Sequence, residues 1–135
     1  MVTITANYEG TLRCTSTHGP SGTTVSTDAP TDNQGLGASF SPTDLVATAL
    51  CSCAMTIMGI TANRLGVDLV GMTGRVVKEM ATEPRRIISA PVEITVPGPL
   101  DEQQRRQLEE AALSCPVANS IHPDIDQTIT FIYAG

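Results

Sequence analysis

The stretch Ser41-Pro42-Thr43-Asp44-Leu45-Val46-Ala47-Thr48-Ala49-Leu50-Cys51-Ser52-Cys53-Ala54-Met55-Thr56-Ile57-Met58 decides the architecture. Ser41 is suited to cap a helix. Pro42 fits the first helical position, where its missing N–H would be unpaired anyway, and an acid follows two residues later. The apolar run carries a helix to about residue 65, where Gly66 can stop it. On that helix Cys53 shares a stripe with Val46, Ala49, Leu50, Ile57 and Ile60, its neighbours at helical spacing. Cys51, two residues away, points about 200° round the helix, so the two thiols cannot face one site.

Asp101, with Gln104 three residues on, opens a second helix over 101 to about 114. Its inner stripe is Leu108, Ala111, Ala112 and Cys115, with Arg105, Arg106, Glu109 and Glu110 towards solvent. Pro116 can begin a further helical turn, leaving Cys115 at its N-cap, where unpaired backbone N–H groups favour a thiolate. Two thiols on separate helices, each on a core-facing stripe, can meet as a reversible dithiol pair.

Around the helices the pattern has period two. Residues 2–14 alternate, with Val2, Ile4, Ala6, Tyr8, Leu12 and Cys14 on one face, and read as one half-buried strand. Residues 23–28 form a short β-prone run, and 29–39, rich in Pro, Gly, Asp and Asn, a surface loop. Residues 67–80 and a returning strand with Ile88, Ala90, Val92, Ile94 and Val96 inside form a hairpin about Glu83-Pro84-Arg85-Arg86. Residues 125–133 give a last strand. The expected order is β-β-α-β-β-α-β, an α+β plan with mostly antiparallel pairing.

A length of 135 residues implies one domain over 1–135. Aromatics at 3%, with no Trp, leave the core to Val, Ile, Leu, Met and Ala, a thin core that favours a dimer. The net charge of −6 and the lack of a basic run argue against a nucleic-acid partner. No run of about eighteen apolar residues is evident, so no membrane partner is expected. The opening Met1-Val2-Thr3-Ile4 lacks a signal-peptide pattern, which makes the cytoplasm the expected compartment. Cysteines there stay reduced unless catalytic or sensing, so the four cysteines read as thiols and not as a disulfide framework.

Other chemistry is thinly supported. Cys14, His18, Cys115 and His122 match no zinc-site spacing, and no metal is expected. There is no phosphate-binding Gly loop, no Gly-x-Ser-x-Gly elbow and no His-Glu-x-x-His, and no cofactor is expected. His18 and His122 read as surface turn residues, and Asp44 as part of the helix start. Arg13, on the polar face of the first strand, is the only basic residue before Arg64 and the candidate cation for Cys53.

Phe40-Ser41-Pro42-Thr43-Asp44-Leu45, Ala47 to Cys53, and Cys115-Pro116-Val117 together resemble the OsmC/Ohr family. Tyr8-Glu9-Gly10, Leu12-Arg13-Cys14, Gly22 and Thr27-Asp28-Ala29-Pro30 resemble its OsmC-like branch. The resemblance implies an intertwined homodimer with two central helices, and thiol-dependent reduction of organic hydroperoxides or hydrogen peroxide. It makes Cys53 the peroxide-attacking cysteine, Cys115 the resolving cysteine and Arg13 the cation beside the thiolate, with an external dithiol as reductant. The chain departs from the family's well-characterised peroxidases at Thr43, where those carry Glu. Asp44 is a poor substitute, because on a regular helix it lies about 180° from Cys53. The alternative is an OsmC-like protein that binds a small molecule or senses redox state without catalysis.

Overall fold

The computed structural model describes residues 1–134. Its elements are β1 (Ile4–Gly10), β2 (Arg13–His18), β3 (Thr24–Asp28), α1 (Pro42–Leu65), β4 (Thr73–Val76), β5 (Glu79–Ala81), β6 (Arg86–Ser89), β7 (Val92–Pro97), α2 (Glu102–Leu113) and β8 (Ile129–Ala134). The fold is α+β, as expected, but the order is β-β-β-α-β-β-β-β-α-β. The chain forms two compact units, Met1–Val46 and the residues from Ala47 onward.

In the first unit β1, β2 and β3 make an antiparallel meander. The single strand expected over 2–14 is therefore a hairpin. It reverses at Thr11 and Leu12, both with positive φ (54° and 64°), after Gly10 at φ 83°. Positive φ at two successive residues gives the twist that a tight hairpin needs. Here it is supported by side chains: Thr11 Oγ1 donates to the Gly10 carbonyl at 2.7 Å, and the Leu12 amide donates to the Tyr8 hydroxyl at 3.4 Å. The hairpin sets Arg13 directly opposite Asp28 on β3.

In the second unit β7 is central, antiparallel to β4 and parallel to β8. The hairpin expected between 67–80 and 88–96 is present in two pieces, β4 on β7 and β5 on β6. Val92, Ile94 and Val96 of β7 are buried on alternate positions, whereas Ile88, expected inside, is 38% exposed on β6. The three β7 side chains pack with Ala54, Met58 and Ala62 of α1, Leu108 and Ala112 of α2, and Cys115.

Both helix starts follow their sequence signatures. At α1 the Ser41 hydroxyl accepts the Asp44 amide at 3.1 Å, and the Asp44 carboxylate accepts the Ser41 amide at 2.9 Å. At its other end the Val67 amide reaches the Ala62 carbonyl and the Gly66 amide that of Asn63, with Gly66 at φ 70°. That is a Schellman stop, which glycine permits without strain. At α2 Asp101 accepts the Gln104 amide at 2.8 Å and the Gln104 side chain accepts the Asp101 amide at 3.0 Å. Replacing Asp101 by Ala is expected to lower unfolding free energy in urea by about 1 kcal/mol, the usual worth of such a cap. An unchanged midpoint would refute it.

Two expectations for α1 are corrected. Its buried residues are Ala47, Leu50, Cys51, Ala54, Met58, Thr61 and Ala62, so the stripe facing its own sheet runs through Cys51 and not Cys53. The helix is apolar on nearly every side, and periodicity alone could not choose between neighbouring stripes. For the same reason α1 proves long and apolar enough to cross a membrane by length and composition, although no such run was expected. Packing of its buried stripe against the β7 side chains accounts for one side of that apolarity.

Candidate functional site

The second unit brings two of the sequence-selected residues together. Cys115 follows the end of α2, where Ser114 is the C-cap. Its sulfur accepts the Ala118 amide at 3.4 Å, and its carbonyl accepts the Asn119 amide at 3.1 Å. The short helix expected to begin at Pro116 is replaced by turns over residues 116–120, and Cys115 takes these amide contacts at the start of the turns. Its thiol is also within hydrogen-bonding reach of the Cys53 thiol. Cys115 is fully buried, Cys53 is half-buried at the edge of the core, and both are free thiols.

The expected thiolate preference at Cys115 is corrected. Burial pushes this thiol's pKa up. The Ala118 amide pulls the other way, contact with Cys53 adds to the rise, and the net direction is upward. A buried thiolate loses hydration that two amides cannot fully replace. Cys115 is thus held protonated at neutral pH. In the reduced protein iodoacetamide is expected to mark Cys53 before Cys115, with Cys115 labelling appearing only as the pH climbs past the range of an ordinary thiol. Peptide mapping checks this, and early labelling of Cys115 at neutral pH would count against it.

Cys51 and Cys14 stand apart from the pair. Cys51 is buried, its sulfur 4.0 Å from Met55 Sδ, and burial raises its pKa. A Cβ added at Gly74 would lie 2.6 Å from the Cys51 sulfur and 2.7 Å from Met55 Sδ, so these sulfurs fill the space the glycine leaves. Cys14 is half-buried on β2, opposite Tyr8 and Thr27. Cys51 acts as a small packing residue of the core.

Arg13 lies in the first unit, and its guanidinium is 3.6 Å from the carboxylate of Asp28. Sequence reasoning selected Arg13 and overlooked Asp28. The available signal was an acid directly opposite Arg13 once the hairpin is recognised. Asp44 is engaged in the α1 cap, and Thr43 Oγ1 lies 3.2 Å from Ser41 Oγ. His18, expected in a surface turn, is instead the half-buried last residue of β2, its Nδ1 2.6 Å from Ser21 Oγ. His122 is exposed as expected, its Nδ1 accepting the Asp124 amide at 3.0 Å.

An α+β fold with two helices and a contacting pair of thiols defines a class of small thiol proteins. The chain belongs to the OsmC/Ohr family: the family model described as OsmC-like protein matches residues 34–130. It is 46% identical to a protein of Psychrobacter arcticus 273-4 provisionally described as an osmotic stress induced and detoxification response protein. That likeness covers 97% of this chain and 96% of the other, with a TM-score of 0.93. The fold is shared with an organic hydroperoxide resistance protein OsmC from Legionella pneumophila (16% identity, 98% and 96% covered, TM-score 0.74). It is also shared with an organic hydroperoxide resistance protein from Elizabethkingia anophelis (14% identity, 99% and 96% covered, TM-score 0.78). No match is found among curated proteins.

Proposed function

We propose that the protein reduces organic hydroperoxides or hydrogen peroxide through a two-cysteine cycle. The observation that carries this reading is the contact between the Cys53 and Cys115 thiols. Hydroperoxide-resistance neighbours with the same fold agree with it. In the first step the Cys53 thiolate attacks one peroxide oxygen and the O–O bond breaks. Cys53 becomes a sulfenic acid, and the departing alkoxide or hydroxide takes up a proton to leave as alcohol or water. Arg13 stabilises the thiolate and the negative charge on the leaving oxygen.

In the second step the Cys115 sulfur attacks the sulfenic sulfur, a disulfide forms and water leaves. A protonated Cys115 brings the proton that the departing hydroxide needs, and the Ala118 amide supports negative charge on sulfur as that proton moves. An external dithiol then exchanges with the disulfide, becoming oxidised and restoring two thiols. The four free cysteines suit a reducing compartment, which makes the cytoplasm the place of action.

The reading treats 1–135 as one OsmC-like domain working as a homodimer. Support for the dimer comes from the second apolar stripe of α1, where Ile60 is 52% exposed. The second reading, a redox sensor or small-molecule binder without turnover, is favoured by Thr43 standing where family peroxidases carry Glu. Intact-protein mass spectrometry after one equivalent of cumene hydroperoxide tests both. A loss of two hydrogens, repeated over many cycles when a dithiol is supplied, supports the peroxidase. A loss without turnover supports the sensor, and an unchanged mass removes the redox account.

A further inference from the structure

Cys51 and Met55 stand four residues apart on α1, the spacing that puts two side chains on one face of a helix. The Cys51 thiol is 8% exposed and points at Met55 Sδ, 4.0 Å away, which is a weak acceptor. Both sulfur-bearing side chains line a cavity of about 470 Å³ whose wall also includes Ser52 of α1 and Gly74 and Val76 of β4. Buried sulfurs are commonly no more than adaptable apolar filling. This pair differs in converging on one point. An added Cβ at Gly74 would fall 2.6 Å from one sulfur and 2.7 Å from the other, so the lack of a side chain at position 74 lets both come there.

What two such sulfurs can hold follows from their donor chemistry. A thiol that ionises and a thioether are soft donors with a single negative charge between them, which suits soft, monovalent Cu(I). Zinc takes about four ligands, and calcium or magnesium about six or more oxygens. Among the described residues no group of three or more His, Cys, Asp or Glu could hold such an ion. At a metal–sulfur length of about 2.3 Å, that of a zinc thiolate, an ion touching both sulfurs sits slightly off the 4.0 Å line between them. The spacing thus fits a bent two-sulfur site without movement of the helix. Burial raises the pKa of Cys51, so ligation has to displace a proton. The thiol gives that proton to solvent, the sulfur takes the metal, and no electron moves.

We propose that Cys51 and Met55 form a Cu(I) site on the face of α1 turned away from Cys53. It stands whether or not the Cys53–Cys115 pair turns over peroxide, because Cys51 points about 200° round the helix from Cys53.

The Cys53–Cys115 dithiol can itself take up Cu(I), so the test starts from a protein carrying Cys53→Ser and Cys115→Ser. It is titrated with Cu(I) without oxygen, against a chromophoric chelator. One Cu(I) per chain is expected, with sulfur neighbours in its X-ray absorption spectrum. Adding Cys51→Ala is expected to weaken binding about a hundredfold or more, at or beyond the loss that follows removal of a supporting contact. Met55→Leu keeps the volume of the side chain and is expected to weaken binding about tenfold. Gly74→Ala keeps both ligands but drives them apart, and a loss of similar size is expected. Cys14→Ser is expected to change nothing. Absence of Cu(I) binding, or parental affinity in Cys51→Ala or Met55→Leu, overturns the proposal. Met55→Leu leaves the core filled, so its affinity decides the matter even where Cys51→Ala fails to fold. Loss of binding in Cys14→Ser would move the metal to the first unit and overturn the proposal equally.

Discussion

Cys53→Ser is expected to remove hydroperoxide consumption almost completely, by about a thousandfold or more, the scale seen when a covalent enzyme loses its nucleophile. Cys115→Ser is expected to behave differently. Its first turnover proceeds and Cys53 stops as the sulfenic acid, which dimedone traps and intact mass registers as one added oxygen. The asymmetry comes from position. Cys53 is half-buried and open to a reactant, whereas Cys115 is fully buried, carries a raised pKa and contacts Cys53. Under this chemistry Cys115 cannot start the cycle. A Cys53→Ser protein whose Cys115 still forms sulfenic acid with stoichiometric peroxide would reverse the roles and sink the assignment.

The same asymmetry shows what the sequence could convey. The caps of α1 and α2 were legible because they rest on local hydrogen bonds whose donors and acceptors lie within three residues of each other. The meeting of Cys53 and Cys115 was legible only in outline, since Cys115 follows α2 instead of lying on it and Cys53 is off the buried stripe of α1. The face of α1 was not legible. Cys51 and Cys53 both lie on apolar stripes, and only the packing of β7 against one side makes Cys51 the buried member. The hairpin of β1 and β2 was hidden because its turn uses Thr11 and Leu12 in place of the Asn-Gly type of signal. Missing that turn meant missing Asp28 opposite Arg13, since one register error hides every cross-strand pair that follows. The sign of the Cys115 shift was also out of reach, because an N-cap is a local feature and full burial is a tertiary one.

Gly35→Ala is expected to be the most destabilising glycine substitution in the first unit, costing about 3 kcal/mol or more of unfolding free energy. The Gly35 amide donates to the Pro30 carbonyl at 2.9 Å, and the Gly37 amide donates to the Ala29 carbonyl at 3.1 Å, so residues 29–37 turn back tightly on themselves. A Cβ at Gly35 would run into the carbonyl oxygen of Ala29, which is backbone and cannot swing aside. Gly10→Ala is the control. A Cβ there meets nothing within 4 Å, and only its φ of 83° is unfavourable, so the expected cost is nearer 1 kcal/mol. The loop that Gly35 closes also carries the Ala38 amide onto the Asp28 carboxylate. Gly35→Ala should therefore disturb the Asp28 contact as well as stability, whereas Gly10→Ala should leave that contact in place. Urea titrations of the two variants decide the first point, and equal midpoints would mean that the turn relaxes around the added methyl group.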